Sequence, residues 1–167
     1  MSQINTREIC LLQSTTATTN GVGPDINLPQ AWQAAILTVN VSTASGTSPT
    51  LNVFLQSKLG QALAGTDVSG GFLTGTAIYD DTLAFTQLTT TGNQIARPVT
   101  SGIGAGTPGT SGSLAVGMDY LQKDAALTAG NYRLGPIGGL WRIKFTIGGT
   151  SPSFTFSVVA QLIPYST

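Results

Sequence analysis

The 167-residue chain contains no histidine, a single cysteine, and few charges: seven Lys and Arg against seven Asp and Glu, 8% of all residues. About 25% is usual for a globular domain. Without histidine the commonest general base and the commonest metal ligand are missing. A formal net charge of zero gives no electrostatic footprint for nucleic acid, which calls for a basic patch. One cysteine, Cys10, excludes an intrachain disulfide. Its setting in Ile9-Cys10-Leu11-Leu12 predicts a small apolar core residue. Long hydrophobic runs are missing as well. The apolar stretches around 34–41 and 157–163 are far shorter than the roughly 20 residues of a membrane helix. The first eight residues lack a basic segment followed by an apolar one, so the expectation is cytoplasmic synthesis without export by a signal peptide.

Ser and Thr, about a quarter of the chain, and 21 Gly take the place of charge. Hydrophobic residues still make up 41%, enough for one domain with its own core. Helical periodicity is nearly absent, and 118–127 is the one stretch suited to a short helix. Strand alternation recurs instead. Leu37, Val39 and Val41 share a face, as do Leu51, Val53 and Leu55 after Gly46-Thr47-Ser48-Pro49-Thr50. Trp141, Ile143, Phe145 and Ile147 alternate with Arg142, Lys144 and Thr146, and Phe154, Phe156 and Val158 follow Gly149-Thr150-Ser151-Pro152. Each Gly-Thr-Ser-Pro reads as a hairpin turn, and the shared letters suggest either a duplicated hairpin or convergence on turn chemistry. Further strands are expected at 7–12, 77–88, with Ile78, Leu83 and Phe85 inward, and 131–134.

The predicted fold is therefore all-β: an antiparallel, jelly-roll-like β-sandwich of about seven or eight strands. It forms one domain over 1–167, with an extended N-terminal arm over about 1–30 and a flexible Gly/Ser/Thr/Pro loop over 98–113.

No catalytic, cofactor or metal site emerges. Asp80 and Asp81 are adjacent, so on a strand they point to opposite faces, and they read as turn residues at a break or bulge. No base is at hand to activate a serine, and Gly102-Ile103-Gly104-Ala105-Gly106 lacks the strand and helix that frame a phosphate loop. Trp32 and Trp141 read as core aromatics; exposed, they would suit sugar stacking. Arg142 and Lys144 on the outer face of their strand are edge protection or an interface patch.

The blocks 35–57 and 139–163 each join an alternating strand to a Gly-Thr-Ser-Pro, the second through Trp141-Arg142-Ile143-Lys144-Phe145. This arrangement resembles small tailed-bacteriophage virion proteins, above all capsid decoration (cement) and head accessory proteins. The resemblance implies a non-enzymatic β-domain on the outer capsid surface that stabilises the shell. It further implies the major capsid protein as partner, a homo-oligomer, commonly a trimer, and no direct contact with nucleic acid or membrane. A tail, neck or head-fibre component is the first alternative, and a carbohydrate- or receptor-binding module the second. The polar arm 1–8 suits strand addition to a neighbour. Candidate assembly contacts are Ile4, Arg7, Arg142 and Lys144.

Overall fold

The computed structural model describes residues 6–61, 77–96, 104–106, 129–130, 132–134 and 137–164. Met1–Asn5, the helical candidate 118–127 and the loop 98–113, except for Gly104–Gly106, lie outside them. The described residues form nine strands and no helix. In chain order these are β1 (Arg7–Ala17), β2 (Gly21–Val22), β3 (Ile26–Trp32), β4 (Ala34–Gln61), β5 (Ala77–Ala84), β6 (Gly92–Ala96), β7 (Gly104–Gly106), β8 (Tyr132–Leu134) and β9 (Ile137–Ile163). Every pairing is antiparallel. The described residues are all-β, as the alternation and the lack of helical periodicity predict.

β4 and β9 are 28 and 27 residues long and pair with each other from Ala34↔Ile163 to Ser57↔Trp141. Strands usually run 3–10 residues, so continuity on this scale demands a bend. Phe145 and Phe156 on β9 are eleven residues apart, roughly 36 Å if extended. Their ring centroids are nevertheless 5.1 Å apart, edge to face. At the other end, Trp32 pairs with Ile137 while Ala34 pairs with Ile163, and the Gln33 amide donates to the Ile163 carbonyl at 2.9 Å. The first and last residues of β9 thus meet across one short stretch of chain. A single hydrogen-bonded sheet folds over into two facing leaves; two separately paired sheets are not present among the described strands.

The first leaf holds β1, residues 153–163 of β9, residues 34–45 of β4, and β6. The second holds β2, β3, residues 137–148 of β9, residues 50–61 of β4, and then β5, β8 and β7. The core lies between the leaves and is filled by the alternating residues read from the sequence. Leu37, Val39, Leu51, Val53, Leu55, Ile143, Phe154, Phe156 and Val158 are all buried, as are Leu83 and Phe85. Burying a side chain of this size contributes about 1.5–3 kcal/mol.

The two Gly-Thr-Ser-Pro segments correct the hairpin reading. A hairpin would pair Val41 with Leu51, but Val41 pairs with Phe156 and Leu51 with Ile147. Neither segment reverses the chain. They lie side by side at the crease, Thr47 opposite Thr150, with Gly46 at φ 113°, Gly149 at φ 109°, and Ser48 and Ser151 both at φ 49°. Left-handed residues here make each strand jog and bend instead of turn back.

The strand expected at 7–12 is the first part of β1, which pairs with β9 of the same chain and buries Leu11 and Leu12. One more expectation changes. Cys10 is exposed, not in the core. A register shift between Cys10 and Leu12 lets the adjacent Leu11 and Leu12 both turn inward, and Cys10 is left on the outer face.

Candidate functional site

On β9, alternation that sends Trp141, Ile143 and Phe145 inward sends Arg142, Lys144 and Thr146 to the outer face of the second leaf. The same rule on β4 sets Asn52, Phe54 and Gln56 outward, and the register places them opposite Thr146, Lys144 and Arg142 in turn. On the far side of β4, a register shift between Leu55 and Gln56 puts Asp81, not Thr82, opposite Gln56. A polar cluster results that spans three strands.

Its links are short and directional. The Arg142 Nε donates to Gln56 Oε1 at 2.8 Å, and Gln56 Nε2 donates to Asp81 Oδ1 at 2.7 Å. The Lys144 ammonium lies 3.8 Å from the same Asp81 oxygen and 5.3 Å from the Phe54 ring centroid. The Arg142 guanidinium stacks on Tyr79, its central carbon 3.3 Å from the ring centroid. Tyr79 in turn donates its hydroxyl to Asp25 Oδ2 at 2.6 Å. Gln56 and Asp81 are each only 5% exposed although they stand on the outer face, because longer side chains cover them. Beside the cluster, Gln87 Nε2 donates to Asn52 Oδ1 at 3.1 Å, and Asn52 Nδ2 to Thr146 Oγ1 at 3.2 Å. The Ser57 and Thr82 hydroxyls meet at 2.7 Å.

The Tyr79 phenol is raised above its ordinary value of 10.0. The hydrogen bond to Asp25 is the main cause, followed by burial and the Asp25 charge, while Arg142 pulls the other way.

The four contact residues expected from the sequence separate here. Arg142 and Lys144 come together in this cluster. Arg7 stands exposed at the far end of β1, opposite Leu162. Ile4 lies outside the described residues. Edge protection does not describe Arg142 and Lys144, because β9 is flanked by β4 on one side and by β2 and β3 on the other. Asp80 and Asp81 lie within β5, not in a turn, although the expected bulge is there. Gln56, Tyr79 and Asp25 were not singled out in the sequence. The outward position of Gln56 was readable from alternation, whereas Tyr79 and Asp25 join the cluster only through tertiary pairing.

Trp32 and Trp141 are both buried, so neither indole offers a face for sugar stacking. Among the described residues no three acidic or thiol side chains gather in a metal-binding group. No family model matches the chain, and no curated protein or solved structure matches it either. The arrangement itself is a stiffening one. Cations, carboxylate and amide satisfy one another across three strands and lock their register.

Proposed function

We propose that the chain is a non-enzymatic structural protein of a tailed-phage virion, a decoration protein that binds the outer shell and stabilises it. The supporting observation is that the two segments carrying the resemblance, 35–57 and 139–163, are β4 and β9, the paired spine of the fold. A sheet folded on itself, with its central cations tied into Gln56 and Asp81, is a rigid module suited to bracing other subunits. The partner is the major capsid protein, the location the capsid surface, and the oligomer suggested by the resemblance is a trimer. Many weak, mostly uncharged contacts, multiplied over the shell, supply the stabilisation.

Quantitative mass spectrometry of purified particles tests this reading. Near-stoichiometric abundance relative to the shell protein is expected. A ring-sized copy number moves the protein to the neck or tail, and absence from particles discards the virion reading.

A further inference from the structure

The outer face of the first leaf is built in rows that cross four strands. Cys10 pairs with Val159, Val159 with Thr38, and Thr38 with Ile95. Ile95 is 53% exposed, one of two large hydrophobic residues so placed among those described. Ile36 adds to this row from the next position outward on β4. On its other side lie Ser157, Asn40 and Asn93, and then Thr16 and Thr155, whose hydroxyls meet at 2.8 Å. A largely apolar stripe, interrupted by Thr38, thus runs across the leaf beside rows of amides and hydroxyls.

Charge is segregated between the leaves. Among the described residues the first leaf carries only Arg7 and Glu8, both at the start of β1. All other charged residues on described strands belong to the second leaf, Arg142, Lys144 and Asp81 among them. A charged partner docking on the first leaf would lose hydration and find almost no counter-ion there. The edges of this leaf are also poor templates for an incoming strand. β1 is broken by two register shifts and β6 has only five residues.

We infer that this face packs against the same face of a second copy of the chain, forming a two-fold dimer with stripe on stripe. The complement it requires is neutral and apolar along one row, and the chain itself supplies such a surface. A two-fold contact needs only self-complementarity. Four strands about 4.8 Å apart and about nine residues long give roughly 500 Å² per copy, or about 1,000 Å² in all. That is the lower limit for a specific interface, so a weak, concentration-dependent dimer is expected. The inference rests on this face alone and not on the virion reading; it stands against the trimer that the resemblance suggests, and a three-chain mass overturns it.

Sedimentation velocity of the full chain, from about 1 to 500 µM, tests it. The mass is expected to climb from one chain towards two. Ile95→Glu and Asn40→Lys, both at exposed positions, are each expected to raise the midpoint at least tenfold. Gln87→Glu, on the second leaf, is expected to leave it unchanged. A single-chain mass throughout overturns the inference, as does a dimer that both first-leaf variants leave intact or that Gln87→Glu disrupts. A monomer whose binding to particles is abolished by Ile95→Glu also overturns it and assigns the face to the shell protein.

Discussion

Gly46 and Gly149 pack reciprocally, each against the Ser-Pro of the other's motif. A methyl group placed on Gly46 would lie 2.7 Å from the Ser151 carbonyl oxygen and 2.9 Å from the Pro152 Cα. On Gly149 it would lie 2.6 Å from the Ser48 carbonyl oxygen and 3.0 Å from the Pro49 Cα. Both glycines also have positive φ. The crease therefore depends on two absent side chains, about a hundred residues apart in sequence.

Gly46→Ala and Gly149→Ala are each expected to destabilise the protein by about 2–4 kcal/mol, since rigid backbone must move and a left-handed alanine is strained. Urea unfolding measures this. A loss under about 0.5 kcal/mol in both variants is incompatible with the close approach.

Ser48 and Ser151 are expected to respond in the opposite way. Each holds φ 49° directly before a proline, where a side chain costs about 1–2 kcal/mol. Glycine removes that strain but loses about 0.5–1 kcal/mol of chain entropy. Ser48→Gly is thus expected to be neutral or stabilising by up to about 1 kcal/mol, and Ser48→Val destabilising. Thermal unfolding of the two variants gives the order.

Gln56 bridges Arg142 and Asp81 and is almost wholly covered. Gln56→Ala strips hydrogen bonds from both neighbours and is expected to cost about 2 kcal/mol. In a double-mutant cycle with Asp81→Ala the coupling should exceed about 1 kcal/mol. Additive losses would show that the bridge contributes nothing beyond packing.

The tie between Tyr79 and Asp25 has a defined pH window. The Tyr79 pKa is raised on folding, so its contribution is fully present below the ordinary phenol value of 10.0. It is lost as pH climbs through the higher folded value. Asp25→Ala removes the acceptor, the main cause, and should lower the Tyr79 titration, read by tyrosinate absorbance. An unchanged alkaline titration in that variant would mean that the hydrogen bond does not persist in solution.

If the chain is a decoration protein, filled particles lacking it should release DNA at a lower temperature than complete ones. Thermal release followed by dye binding reads this directly. An unchanged release temperature counts against a stabilising role.

Much of the core was legible because alternation is a local property. Leu37, Val39 and Val41 needed only their own strand to declare a common face, and so did Trp141, Ile143 and Phe145. Cys10 was misread because an unbroken apolar run has no alternation to show which of its residues face inward, and at Asp80-Asp81 the bulge was legible but not that the strand continues through it. The Gly-Thr-Ser-Pro segments were misread for a different reason. Gly, Ser and Pro suit a reversing turn and a bent strand equally well, and only the partner strand decides between them.

By itself, then, the sequence determined the all-β class, the inward faces of the long strands and the presence of two matching motifs. Those follow from side-chain period and backbone preference, which act over a few residues. Only the tertiary structure decided that the motifs lie against each other, that one sheet folds into two leaves, and that Asp25, Tyr79, Arg142, Gln56 and Asp81 form a chain of contacts. Those outcomes depend on which distant strand lies alongside, and that choice is made by the burial of the whole core.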